Sequence, residues 1–107
     1  MDKIMKHSFY IGLNDKDTLL QKIGLDSAVK MLIRIVNRNG YPGATLFKDA
    51  IGFFTHKDGR TTIEPSLKLE ILFGEFEKSK QLLNDIKKEL NQESVYFERT
   101  EVYGQFM

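Results

Sequence analysis

An α+β sandwich built in the order β-α-β-β-α-β is the fold the sequence predicts. Three observations carry it. The stretch from Ala44 to Phe73 reads as one long β-hairpin with its turn at His56-Lys-Asp-Gly59. One segment on each side of that hairpin carries apolar residues at helical spacing. A short strand-like segment stands near each end of the chain. Two helices with one apolar stripe each need a sheet face to cover. An antiparallel sheet with both helices on one face meets that need, which is the ferredoxin-like sandwich.

The elements follow in order. His7 to Leu13 makes a first strand, with Phe9, Ile11 and Leu13 on one side and Ser8, Tyr10 and Gly12 on the other. Asn14 to Asp17 is a polar loop, and Thr18 to Ile23 is expected to form a helical turn that Gly24 interrupts. Asp26-Ser27 suits the N-cap of the first helix, whose stripe is Val29, Leu32, Ile33 and Val36. Asn39-Gly40 stops that helix. The hairpin arms then run over 44–55 and 61–73. In the second arm Ile63, Pro65, Leu67, Leu69, Ile71 and Phe73 alternate with Thr62, Glu64, Ser66, Lys68, Glu70 and Leu72. That period of two marks a strand with one buried face. Glu75 to Leu90 reads as the second helix, with Phe76, Leu83, Ile86 and Leu90 on one face, helped by Leu82. Its acidic start and its Lys87-Lys88 end suit the helix dipole. Residues 94–103 make the last strand, which the tail 104–107 extends.

The 107 residues suit a single domain, expected to span 1–107. With 16 basic and 15 acidic residues the net charge is +1, so no charge excess favours nucleic acid or an anionic membrane. The absence of cysteine excludes disulfides, thiolate metal sites and thiol nucleophiles. No apolar run follows the charged start and no stretch approaches a membrane span, so a cytoplasmic protein is expected.

Functional candidates come from the sheet face that the helices leave open. Counting by twos gives that face Thr62, Glu64, Ser66, Lys68, Glu70 and Leu72, joined by Tyr10, Tyr96 and Val102 and, from the first arm, Leu46 and Phe54. Large residues gathered on an open face form a contact surface. The same element order belongs to an RNA-recognition module, but its third strand needs exposed aromatics for base stacking. Here that strand offers two carboxylates, so no nucleic-acid partner is expected. The two histidines, His7 and His56, have no ligand spacing, and no metal or other cofactor is expected. Tyr10, Glu64, Ser66, Tyr96 and Arg99 are the ligand or interface candidates, none with a nucleophile signature. Glu64 and Arg99 read most simply as an ion pair across strands or between subunits, and Gln92-Glu93-Ser94 as a helix exit, with part of a polar pocket at the sheet end as its alternative reading.

Two resemblances add to this. The run from Gly43 to Phe54, the turn, Leu67-Lys-Leu-Glu-Ile71 and the acidic helix start resemble the PII-like signalling proteins. That resemblance implies a trimer with small ligands held in clefts between subunits. The four-residue turn here replaces the family's long loop, so no nucleotide site is carried over. Phe9-Tyr-Ile-Gly-Leu13, Gly52-Phe-Phe54, Asp58-Gly59, Glu64-Pro-Ser66 and Gln92-Glu-Ser-Val95 together resemble a family of small uncharacterised bacterial proteins. It supports the fold and assigns no activity. The expected function is a homo-oligomeric, dimeric or trimeric, module that binds a small ligand or a protein partner without catalysis. The alternatives are a small enzyme of the dimeric α+β-barrel kind and an accessory protein that docks through its open face.

Overall fold

The computed structural model describes residues 1–105. Its elements are β1 (Asp2–Gly12), α1 (Leu25–Arg38), β2 (Thr45–Thr55), β3 (Thr61–Ile71), α2 (Phe76–Glu89) and β4 (Tyr96–Gly104). The four strands form one sheet in the order β2-β3-β1-β4, every neighbouring pair antiparallel. This is the ferredoxin-like arrangement that the element order predicts. Of the tail expected to prolong β4, Gly104 belongs to it, whereas Phe106 and Met107 lie outside the described residues. No described helix is long and apolar enough to cross a membrane.

The core lies between the helices and one sheet face. Phe9 and Ile11 of β1 and Leu67, Leu69 and Ile71 of β3 pack with Leu32, Ile35 and Val36 of α1 and Leu82 and Ile86 of α2. Both helix stripes are rotated from the expected ones. In α1 the buried residues are Ala28, Leu32, Ile35 and Val36, and Ile33 is exposed. The helix starts earlier than Asp26-Ser27 suggests, with Gly24 at the N-cap and Asp26 inside the first turn, where its charge favours the helix dipole. In α2 the buried line is Ser79, Leu82 and Ile86, leaving Phe76 at the margin. Thr18 to Ile23 forms turns and bends rather than a helical turn, and Leu19 there has φ 61°.

β1 begins five residues before the expected strand, because β4 pairs with it as far as Asp2↔Gly104. The hairpin outreaches the helices. An 11-residue strand spans about 36 Å, whereas a 14-residue helix spans about 21 Å. The far half of the hairpin therefore has no helix over it. Ile51, Phe53 and Ile63 face the helix side of the sheet yet stay exposed, and only Leu67, Leu69 and Ile71 of the β3 alternation are buried.

A second difference lies in β2. Its register shifts between Phe47 and Ala50, and Asp49 there has φ 64°. A bulge of this kind inserts a residue and changes which face the following side chains occupy. Leu46, expected on the open face, pairs with Leu69 and packs on the core. Phe47 takes the open side opposite Lys68, and Phe54 stands on it opposite Thr62 as expected.

Candidate functional site

The open face is organised around Glu64. β3 delivers it opposite Gly52 of β2, one alternation from Ser66, which pairs with Gly12 of β1. The two glycines leave room beside it. A Cβ built on Gly12 would stand 2.5 Å from Glu64 Oε1, so the carboxylate occupies the space that a side chain at position 12 would fill. The Asn14 backbone N–H donates to Glu64 Oε2 at 3.1 Å and fixes that pose. A half-buried carboxylate held by one main-chain donor keeps acceptor capacity for a cationic or hydrogen-donating ligand.

Two depressions meet at this carboxylate. One, of ≈ 390 Å³, lies on the open face and is lined by Tyr10, Gly12, Ala50, Gly52, Ser66 and Tyr96 as well as Glu64. The other, of ≈ 190 Å³, lies under the β1–α1 loop and is lined by Asn14, Leu19, Thr62 and Glu93 among others. Glu64, Gln92 and Ser94 line both. The first volume falls in the roughly 300–1,000 Å³ range of small-molecule sites. A larger concavity of ≈ 440 Å³ lies elsewhere, between the α1–β2 loop and the start of α2. The Glu64 depressions, though smaller, gather a fixed carboxylate, hydroxyls and aromatic rings.

Neighbouring groups brace these walls. Tyr10 Oη donates to Glu98 at 2.6 Å, and this bond, with some desolvation, raises the phenol above its ordinary range. Lys68 lies 5.6 Å from the ring centroids of both Tyr10 and Phe47. Glu70, only 17% exposed in its side chain, is gripped by Lys68 at 3.0 Å and Lys6 at 3.3 Å, which lower its carboxyl. Under the second depression Asp15 anchors the loop. It accepts from Asn91 Nδ2 at 2.6 Å and from the Thr18 and Asp17 main chain at 3.0 Å each. The Asn91 bond first, then those donors and Lys22, outweigh burial and lower its carboxyl to about 2. Gln92 is buried, and its amide nitrogen donates to Asn14 O at 2.8 Å and Leu90 O at 3.2 Å. Its role as a helix exit stands, and it also forms part of both depressions.

Of the five sequence candidates, the structure gathers Tyr10, Glu64, Ser66 and Tyr96 around one depression. Arg99 is a correction. It pairs with His7 on the helix-covered face and packs over the Phe76 ring at 5.3 Å. Glu64 stands on the opposite face, so the two form no ion pair within the chain. Gly12 and Asn14 join the site without having been singled out as its members, and Gln92 and Ser94 join it in line with the pocket alternative to a helix exit. Their convergence depends on long-range pairing, though Gln92 and Ser94 carried a signal in the short motif after α2.

A second polar cluster is sealed in the core. His7 Nδ1 meets Ser79 Oγ at 2.5 Å, and Ser79 Oγ meets Tyr41 Oη at 2.8 Å. Tyr41 Oη also donates to Glu75 O and accepts from Glu75 N. His7 is 0% exposed, and its Nε2 has no hydrogen-bond partner among the described residues. Burial first, and then the charge of Arg99, lower its pKa. This histidine–serine contact has no path to a substrate and ties β1 to α2.

Comparison with protein-family models finds no match, and comparison with curated proteins finds none either. Solved structures do match. A phage SAM lyase in complex with S-methyl-5'-thioadenosine superposes with a TM-score of 0.72 at 24% identity, over 92% of this chain and 81% of that one. The B. subtilis GlnK–ATP complex gives 0.58 at 12% identity, over 92% and 82%. CPII, a nitrogen regulatory PII-like protein from Thiomonas intermedia K12 bound to ADP, AMP and bicarbonate, gives 0.55 at 11%, over 98% of both chains. At these identities what is shared is the fold, which is that of the PII-like proteins.

Proposed function

We propose that the chain binds an adenosine-containing ligand at Glu64 and cleaves S-adenosylmethionine to S-methyl-5'-thioadenosine. The observation that carries this is the Glu64 carboxylate, laid over Gly12 and fixed by Asn14 where an aromatic-walled depression meets a polar one. The comparisons support the ligand class, since the matched lyase, GlnK and CPII structures hold S-methyl-5'-thioadenosine, ATP, and ADP with AMP respectively. They support the lyase reading over a purely regulatory one through the higher TM-score of the lyase.

The chemistry suits these residues. In S-adenosylmethionine the sulfur is a cation. Breaking its bond to the amino-acid side chain leaves the electron pair on sulfur and gives the neutral thioether. A lyase adds no water, so the departing carbon is satisfied from within the substrate, by its own carboxylate closing a lactone. No outside oxidant, reductant or nucleophile is needed. The step removes opposite charges, so it is favoured where the bound ligand is shielded from water. Glu64 supplies the countercharge that selects a sulfonium, Tyr96 offers a ring for the purine, and Ser66 and Tyr10 line the floor. Self-association belongs to the same reading, with the exposed Ile51, Phe53 and Ile63 of the hairpin as the apolar surface for a second copy.

The test is calorimetric. S-methyl-5'-thioadenosine and its S-methylated sulfonium share one nucleoside and differ in charge, and the sulfonium lacks the side chain that is cleaved. Glu64→Gln can keep the Asn14 hydrogen bond and removes the charge. It is expected to weaken the sulfonium at least tenfold while changing the neutral thioether by no more than about threefold. Equal affinity of both ligands for both proteins would refute the role of Glu64.

A further inference from the structure

Residues 14–22 arch over the smaller depression. Their base is tightly held: Asp15 accepts from Asp17, Thr18 and Asn91, Lys16 N donates to Asn91 O at 3.0 Å, and Asn14 bridges to Gln21. Their crest has the opposite character. Leu19 and Leu20 are adjacent, apolar, and 67% and 68% exposed. Leu19 also has φ 61°, a left-handed backbone that a branched apolar residue rarely adopts and that asparagine or glycine accepts readily. The Leu19 N–H donates to Asp15 O at 2.7 Å, so the anchored base sets this conformation.

The two leucines also differ in position. Leu19 borders the depression that holds Glu64, Gln92 and Ser94, and Leu20 borders none of the concavities described above. A turn at this position could carry asparagine without strain and without exposing an apolar side chain. From the strain, the exposure and the position together, we infer that Leu19 is a ligand-covering residue. It closes over the bound nucleoside and sets affinity by excluding water from the end of the site at Glu64. This deepens the proposed function and rests on it.

The position yields a test that separates binding from folding. Leu19→Asn removes the apolar cover and relieves the backbone. It is expected to leave the thermal midpoint unchanged or raised, and to weaken S-methyl-5'-thioadenosine about tenfold, as loss of roughly half a leucine's burial would. Leu20→Asn, on the same loop at the same exposure, is expected to bind as the wild type does. Leu19→Met keeps an apolar cover and is expected to stay within about threefold of wild type. Wild-type affinity in Leu19→Asn would overturn the covering role and leave the proposed ligand standing. So would equal losses in the two asparagine variants, which would mean that the loop acts only as a whole. Failure of the wild-type protein to bind S-methyl-5'-thioadenosine would overturn the proposed ligand and the covering role together.

Discussion

Alanine at position 12 would place a methyl group where Glu64 now lies. The added Cβ would stand 2.5 Å from Oε1 and 2.6 Å from Cδ and Oε2, whereas ordinary contact begins near 3.4 Å. The carboxylate must therefore retreat by about 0.9 Å or more. The Asn14 N–H bond, 3.1 Å long in the native site, does not survive that move. A bond to a charged group contributes about 1.5–3 kcal/mol, and less where water can replace it, as at this half-buried carboxylate. Relief of glycine's excess entropy in a strand offsets about 0.5–1 kcal/mol. The expected net loss is about 1 kcal/mol, or roughly 4–8 °C in thermal midpoint. Binding should suffer far more, with at least a tenfold loss for S-methyl-5'-thioadenosine, because the displaced carboxylate enters the ligand's space. Differential scanning fluorimetry and calorimetry on Gly12→Ala read the two effects separately. Wild-type affinity in a folded Gly12→Ala protein would refute the placement of the site. A loss of several kcal/mol would refute the claim that Glu64 serves the site more than the fold.

Gly74→Ala is the structural counterpart. Its Cβ would fall closer than 3.0 Å to the His7 ring, which is fully buried and cannot swing aside, so overpacking of about 1–3 kcal/mol is expected in denaturant melts, more than for Gly12→Ala. Tyr41→Phe removes the hydroxyl that serves both the N–H and the C=O of Glu75, with an expected loss of about 1–3 kcal/mol; an unchanged melt would show that water replaces it. His7 is held neutral in the fold with its pKa below the ordinary 6.5, so the unfolded chain binds the extra proton. Its contribution is complete above pH 6.5 and falls as pH drops below that value. Denaturation midpoints at pH 7.5 and pH 5 should differ, and His7→Gln, less stable overall, should lose that difference.

The order of elements was legible because each announces itself locally. The alternation from Leu67 to Ile71 and the helical spacing in both helices need no partner to be seen. The same counting by twos located Tyr10, Glu64, Ser66 and Tyr96 on one face. Applied strictly from Tyr96, it also places Arg99 on the other side of the sheet. What stayed hidden depends on the chain meeting itself. Asp49 gives no sign that it will bulge β2 and turn Leu46 inward. The charged residues before His7 become strand only because β4 pairs with them. Asn91 and Gln92 reach across to Asp15 and Asn14, and no local pattern encodes that clip. Gly12 matters because of a carboxylate 52 positions further along the chain.

The most direct measurement is turnover. Purified protein is incubated with S-adenosylmethionine, and S-methyl-5'-thioadenosine and the four-carbon fragment are followed by liquid chromatography and mass spectrometry. Protein-dependent formation of the thioether together with the lactone, slowed about tenfold by Glu64→Gln at substrate concentrations below saturation, is the expected result. No thioether beyond spontaneous breakdown, with adenine nucleotides nonetheless bound, would contradict the lyase reading and leave a regulatory nucleotide-binding protein in its place.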